Sequence, residues 1–260
     1  MTDKPILIQI YEIQSPAAAE PLIAMGVDHV GSVILDQQHW KVPEIRDTVR
    51  LVSESGAVSS LLPLFSDVDA VSRVLDYYQP GIIHFCEAIV PMPDQRPALD
   101  RILMNQMKIR ERFPEIRIMR SLPLRPLEKG TTDGLSQIVS RFEPLSDYFL
   151  TDTVLADPGE TGPNHQPVPG FVGITGIPCD WDAVSRLVEI THVPVILAGG
   201  ISPDNVYEAI SRTRPAGVDS CTRTNREDGR GGSVRFEKDY DKVKRLVEEV
   251  GRAVADGLNR

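Results

Sequence analysis

Short apolar runs alternate with segments of helical periodicity along this chain, and the clearest example lies in its second half. Residues 193–198 form a short run rich in β-branched side chains, which is typical of a buried strand. Gly199 and Gly200 end that run. We predict that a helix follows, with Ser202 as its N-cap and Pro203 at its first position. The stretch is therefore typical of a strand–turn–helix unit in a parallel sheet.

The same alternation recurs along the whole chain and predicts the fold. The predicted strands cover residues 6–10, 27–35, 58–65, 81–86, 116–122, 147–151, 193–198 and 217–219. The predicted helices cover residues 15–26, 43–56, 67–78, 97–113, 133–142, 180–191, 202–214 and 239–257. Such alternation indicates a parallel sheet with crossover helices, and eight units favour closure into a barrel. We therefore expect the α/β class, as a single (β/α)8 TIM barrel over residues 1–260 with insertions at about 156–170 and 222–233.

Composition and charge limit the kinds of molecule that we expect this protein to bind. The chain has 260 residues and a net charge of −9, with no long basic run and no membrane-length apolar run. We therefore expect neither nucleic acid nor a membrane as partner. The three cysteines are widely spaced, which favours reduced thiols over a disulfide framework. We expect a cytoplasmic monomer or homodimer that uses no cofactor and holds no metal.

In such a barrel the functional site lies at the carboxyl ends of the strands. The turn at Gly199 and Gly200 suits a phosphate group, because residues without Cβ let a ligand approach the backbone. A helix that follows directs free N–H groups toward the same point. A tight turn without a ligand is the alternative interpretation.

Four segments carry a resemblance to a known family. They are residues 15–31, residues 147–153 (Asp-Tyr-Phe-Leu-Thr-Asp-Thr), Gly173-Ile174-Thr175-Gly176 followed by Cys179-Asp180-Trp181, and Ala198-Gly199-Gly200-Ile201 continuing through residues 214–219. In these segments the chain resembles phosphoribosylanthranilate isomerase, a (β/α)8 enzyme of tryptophan biosynthesis. The resemblance implies an Amadori rearrangement of an aminoaldose phosphate to an aminoketose phosphate, with Asp152 as the general acid.

The chain departs from the family at positions that carry its chemistry. The family's first strand ends Lys-Ile-Cys-Gly with the cysteine as general base, and Tyr11 stands at that position here. A tyrosine has a pKa of about 10, so Tyr11 acts as a base at neutral pH only if its pKa falls strongly. Cys86 on the fourth strand is the other candidate base, and both residues are equally interpretable as packing groups. His39 replaces the arginine that holds the anthranilate carboxylate, and Cys221-Thr222-Arg223 replaces the family's Ser-Ser-Gly beside the phosphate.

The leading hypothesis is a sugar-phosphate isomerase of this type, with a phosphorylated small molecule as substrate. Its candidate residues are Asp152, Tyr11 and Cys86 for catalysis, His39, Arg120, Thr175 and Asp219 for substrate binding, and Gly176, Gly199, Gly200, Thr222 and Arg223 for phosphate binding. The substrate's non-phosphate half stays open. There are two alternatives: a lyase or epimerase with the same phosphate-binding site, and a barrel that binds its ligand without catalysis. The insertion at about 156–170 is interpretable as a lid, an inert loop or a subunit contact.

Overall fold

The computed structural model describes residues 6–89, 96–126, 134–155, 168, 170–230 and 232–259. Its centre is a closed barrel of eight parallel strands that follow one another in chain order. The strands are β1 (Leu7–Ile10), β2 (His29–Ile34), β3 (Val58–Pro63), β4 (Ile82–Phe85), β5 (Arg117–Leu124), β6 (Tyr148–Thr153), β7 (Val195–Leu197) and β8 (Gly217–Ser220). The predicted (β/α)8 barrel is confirmed. The predicted insertion at about 156–170 falls outside the described residues, apart from residues 168 and 170.

A helix follows each strand and covers the outside of the barrel. The helices are α1 (Pro16–Ala24), α2 (Pro43–Glu54), α3 (Val68–Tyr78), α4 (Arg96–Arg112), α5 (Leu135–Phe142), α6 (Trp181–Ile190), α7 (Val206–Thr213) and α8 (Tyr240–Ala255). Two of them begin at aspartate caps: Asp67 accepts a hydrogen bond from Ala70 N at 2.8 Å, and Asp180 accepts one from Asp182 N at 3.0 Å. Among the described residues, none of these helices is long and apolar enough to cross a membrane.

The start of α7 differs from the prediction. Ser202 is not its N-cap, because the helix begins only at Val206. The side chain of Asn205 holds the intervening turn: its Oδ1 accepts from Ser202 N at 2.8 Å, and its Nδ2 donates to Gly200 O at 3.0 Å. Local hydrogen bonds of an asparagine thus replace the first turn of the predicted helix.

Strand alternation divides the barrel's side chains into two sets. Inward-facing Met119, Leu150 and Ile196 form a small buried cluster inside the barrel. Outward-facing residues of the same strands, such as Ile118 and Phe149, belong to two larger apolar clusters that pack against the helices. Because the lower part of the barrel is filled, a ligand is confined to the carboxyl ends of the strands.

The predicted insertion at 222–233 is a folded feature that continues to residue 238. After a short 3-10 turn at Thr222–Thr224, the antiparallel strands β9 (Asn225–Glu227) and β10 (Ser233–Lys238) pair with each other. The Asp228-Gly229 pair lies between them, and such a pair is a strong signal for a hairpin turn. The predicted insertion is therefore a hairpin.

Candidate active site

Two carboxylates, Asp152 and Asp219, lie at the carboxyl ends of β6 and β8. Strand alternation turns both side chains into the barrel. Both line a small cavity shared with Gly199 and Gly200, and both line an adjoining apolar cavity. The structure thus brings together the predicted acid, a predicted substrate-binding carboxylate and the predicted phosphate turn.

Both carboxyl groups have a pKa far above that of an exposed aspartate. Burial raises the pKa of Asp152 to about 7, and a hydrogen bond of 2.8 Å from Thr153 N offsets only part of that effect. Burial also raises the pKa of Asp219 to about 7, with a further upward contribution from the charge of Asp152. Two buried carboxylates that repel each other share a proton near neutral pH. The site can therefore present one acid and one base at the same time.

The loop after β6 makes room for Asp152 through a glycine. Gly173 has a φ of +98°, and a Cβ atom there would lie 2.2 Å from Oδ2 of Asp152. Any other residue would push the carboxyl group out of its place. The resemblance to the family included this glycine, and the structure supplies its physical reason.

A second set of residues surrounds the glycine turn after β7. The predicted residues that line this cavity are Thr175, Gly176, Gly199, Gly200, Thr222 and Arg223. Arg223 Nε donates to Gly176 O at 2.7 Å, which fixes the guanidinium group beside the cavity. Within the described part of the chain, Arg223 forms no ion pair, so its charge is available to an anion.

The two glycines of the turn also have a packing role. A Cβ at Gly200 would lie 2.5 Å from the carbonyl carbon of Ile177, and one at Gly199 would lie 2.6 Å from Oγ1 of Thr153. Both have positive φ, of +62° and +84° respectively. The following helix contributes less than expected, since the N–H of Ser202 is already bonded to Asn205. An anion here would be held by the loops and Arg223, and not by the end of α7.

Tyr11 lies inside the barrel in a chain of hydrogen bonds. Its hydroxyl is 2.5 Å from Ser60 Oγ and 2.8 Å from His84 Nδ1, and His84 Nε2 is 2.8 Å from Ser121 Oγ. The ring packs over Gly31, where a Cβ would lie 2.3 Å from it. Burial raises the pKa of Tyr11 well above its usual value, which is the opposite of what a base requires. This environment does not favour Tyr11 as the general base, and that role stays a prediction.

Cys86 lies beside Asp152 in the apolar cavity but fails the same requirement. Burial and the neighbouring carboxylates of Glu87 and Asp152 raise the pKa of its thiol well above the usual value. A thiol that stays protonated is a weak nucleophile and a poor base. This environment does not favour Cys86 as the alternative base, and that role stays a prediction.

Arg120 is placed outside the barrel, which corrects its predicted contact with substrate. Its Nη1 donates to Glu87 Oε2 at 2.6 Å, its Nε donates to Gln106 Oε1 at 2.8 Å, and it is almost fully buried. The guanidinium carbon lies 5.1 Å from the ring centre of Phe142 on α5. On β5 it is Ser121, one residue further on, that faces the interior. Arg120 is thus a packing residue between the barrel and its helices.

His39 also lies away from the carboxylates. It sits in an exposed loop after β2, where its Nδ1 is 2.9 Å from Oδ2 of Asp36, and it lines neither of the two cavities. Its side chain is 82% exposed. The structure does not bring His39 together with the other predicted site residues, and its contact with substrate stays a prediction.

Sequence reasoning missed the residues that attach the hairpin to the barrel. Glu12, just after β1, is buried with a φ of +66°. Arg235 Nε donates to its Oε1 at 2.5 Å, and Asn225 Nδ2 donates to its Oε2 at 3.0 Å. Burial opposes ionisation, but these partners and Lys238 together lower the pKa of Glu12. The Asp-Gly turn signal marks the hairpin, whereas no local pattern marks its contact more than 200 residues earlier in the chain.

The chain is a (β/α)8 barrel with two buried carboxylates beside a glycine-lined cavity. Curated phosphoribosylanthranilate isomerases of Methanocella arvoryzae and Nostoc punctiforme are each 30% identical to the chain, over 94% of its length and 97% and 98% of theirs. The chain belongs to the phosphoribosylanthranilate isomerase family, whose members are named as isomerases. The family described as "PRAI: N-(5'phosphoribosyl)anthranilate (PRA) isomerase" matches residues 135–249, which include both carboxylates.

Solved structures support the same fold. A phosphoribosylanthranilate isomerase from Thermotoga maritima has a TM-score of 0.64 at 18% identity and covers 95% of this chain and 99% of its own. A complex of a phosphoribosylanthranilate isomerase with reduced 1-(o-carboxyphenylamino)-1-deoxyribulose 5-phosphate has the same TM-score at 17% identity. At this level of identity the likeness concerns the fold.

Proposed function

We propose that this protein converts an N-linked aminoaldose phosphate, of the phosphoribosylanthranilate type, into the corresponding aminoketose phosphate. The observation that carries the proposal is the placement of Asp152, a carboxyl group with a pKa of about 7, beside the glycine-lined cavity. At neutral pH such a group retains a proton that it can donate. The step would belong to tryptophan biosynthesis, as the names of the relatives imply for those proteins.

The two cavities suit the two ends of such a substrate. The phosphate would bind among Gly176, Gly199, Thr222 and Arg223, which line one cavity and bring glycines and a guanidinium group together. The adjoining cavity is lined mostly by apolar side chains, which suits the aromatic ring of such a substrate. Asp152 lines both cavities and so lies where the sugar would connect the two ends.

The reaction begins with the opening of the sugar ring. Protonation of the ring oxygen by Asp152 allows the C1–O bond to break, while the nitrogen lone pair forms a C1=N bond. The apolar surroundings keep Asp152 protonated until the substrate binds. A general acid of this kind typically contributes about 10²–10⁴ in rate.

The proposal is tested by mixing the purified protein with phosphoribosylanthranilate and following its fluorescence change. We expect turnover by the wild type and a loss of about 10²-fold or more in Asp152→Asn. Asp69→Asn, the same chemical change on the exposed surface of α3, serves as the matched control. Tight binding of the phosphorylated ligand without turnover would instead support a binding barrel.

A further inference from the structure

An isomerisation of this type needs a second group, because a proton must leave C2 after the ring opens. The position at the end of β1 where the family has its cysteine is occupied by Tyr11, a phenol that burial keeps protonated. Burial also raises the pKa of the Cys86 thiol. A carboxylate that lines the same cavity as Asp152 is therefore a better candidate for the base.

Asp219 satisfies the geometric requirement. It lies on β8, which pairs with β1 so that Asp219 is directly opposite Gln9. Tyr11 follows Gln9 by two residues along β1 and its continuation. It lines both cavities together with Asp152. Its carboxylate is thus one strand away from the place that the family's cysteine occupies, at the same mouth of the barrel.

One carboxylate oxygen of Asp219 accepts a hydrogen bond from Gln9, whereas none of the described residues donates to the other. Gln9 Nε2 donates to Oδ1 at 3.0 Å, and Gln9 Oε1 is 3.1 Å from His29 Nδ1. Burial lowers the pKa of His29 to about 4, so the ring is neutral and its Nδ1–H donates to Gln9. This arrangement fixes the amide of Gln9 with its NH₂ group toward Asp219. Oδ2 accepts no hydrogen bond from the described residues and is not among their buried side-chain atoms that lack a partner, and Asp219 lines both cavities.

We propose that Asp219 is the general base of the reaction, that it removes the proton from C2, and that Gln9 is its positioning residue. The inference rests on the proposed function. In the step, Oδ2 takes the C2 proton, the C2–H electron pair forms a C1=C2 bond, and the C1=N electron pair returns to nitrogen. The product is a neutral enolamine.

The protons then balance without any outside reactant. Asp219 returns its proton to C1, the C2 hydroxyl gives its proton to Asp152, and the carbonyl forms at C2. The substrate has gained protons at the ring oxygen and C1 and lost them at C2 and its hydroxyl, so the product is an isomer. Both carboxyl groups end in their starting states, in agreement with a pair that shares one proton near neutral pH.

The test uses Asp219→Asn, which keeps the shape and the hydrogen bond to Gln9 but cannot accept a proton. We expect the variant to bind reduced 1-(o-carboxyphenylamino)-1-deoxyribulose 5-phosphate within about threefold of wild type, and to lose about 10²–10⁴ in kcat. Exchange of the C2 hydrogen with deuterated water, measured on the recovered substrate, is expected to disappear. Asp219→Glu provides a second variant that keeps a carboxylate, in case the asparagine variant fails to fold, and we expect it to recover part of the exchange.

A separate measurement tests the positioning role of Gln9. Gln9→Leu removes the donor that stabilises the ionised form of Asp219, so the acidic limb of the kcat/KM profile is expected to move upward by about one pH unit. A merely structural role would lower stability and leave that limb in place.

The outcomes separate the two proposals. In one outcome the wild type turns over phosphoribosylanthranilate, and Asp219→Asn keeps its rate within tenfold and still exchanges the C2 hydrogen. This result would overturn Asp219 as the base and leave the proposed function intact. A folded wild-type protein that binds the reduced product analogue without turnover overturns both.

Discussion

A Cβ atom on Gly173 would lie 2.2 Å from Oδ2 of Asp152, so the backbone after β6 and the acid at its end occupy adjoining space. Gly173→Ala is therefore expected to displace the carboxyl group and to lower kcat by about 10–100-fold. Steady-state kinetics on phosphoribosylanthranilate would measure the effect. Gly251→Ala in α8, where nothing lies within 4 Å of the new methyl group, is the control and is expected to be neutral or stabilising. Equal kinetics in the two variants would contradict the packing argument.

The raised pKa of Asp152 has a consequence for stability. The folded pKa is about 7, whereas an unfolded aspartate has a pKa of about 3.9. Between these values the unfolded chain is ionised and the folded chain is protonated, so unfolding releases a proton and stability falls as pH rises from about 4 to about 7. We expect Asp152→Asn to increase the free energy of unfolding by about 4 kcal/mol at pH 8 and to match wild type near pH 4. Urea denaturation at the two pH values measures this, and a variant that is no more stable at pH 8 would refute it.

The same two carboxyl groups predict the pH dependence of the reaction. Catalysis requires a protonated Asp152 and an ionised partner, and both groups have a pKa of about 7. We expect a bell-shaped kcat/KM profile with its maximum near pH 7. A profile that rises only above pH 8.5, where free thiols ionise, would instead indicate a cysteine base.

An ion pair between Arg235 and the buried carboxylate of Glu12 holds the hairpin of β9 and β10 against the barrel. Because Glu12 is buried, we expect removal of its partner to lower the stability of the protein. Arg235→Met leaves the buried carboxylate of Glu12 without its cation and is expected to cost about 1–3 kcal/mol of unfolding free energy. Arg226→Met breaks the exposed pair with Glu237 in the same hairpin and is expected to cost less than about 0.5 kcal/mol. Chemical denaturation of the two variants provides the comparison, and equal losses would show that the contact with Glu12 contributes nothing.

The sequence predicts the barrel because each strand and helix leaves a local signal. The aspartate caps at Asp67 and Asp180, each at the start of a predicted helix, are such signals. The start of α7 was predicted wrongly, since the side chain of Asn205 competes with the helix for the same backbone groups. Local competition of this kind is hard to rank from sequence alone.

The candidate site was predictable only in part. Asp152 and Asp219 follow from strand ends and the family resemblance, whereas the orientation of Arg120 depends on the strand's register, which is set by the whole barrel. The partners of Tyr11 come from β3 and β4, and the partner of Glu12 comes from the far end of the chain. Such contacts are tertiary, so residue type and spacing do not reveal them.

The central claim is that the chain is an aldose–ketose isomerase of a phosphorylated aminosugar, and the identity of the product tests it most directly. Phosphoribosylanthranilate labelled with carbon-13 at C1 would be incubated with the protein and followed by NMR. We predict that the C1 signal of the closed ring is replaced by that of a methylene carbon bonded to nitrogen, at unchanged total mass, and that Asp152→Asn prevents this change. The claim would be contradicted by a product of two fragments or by a closed-ring product with an inverted stereocentre. It would also be contradicted by an unchanged C1 signal when the folded protein binds the substrate.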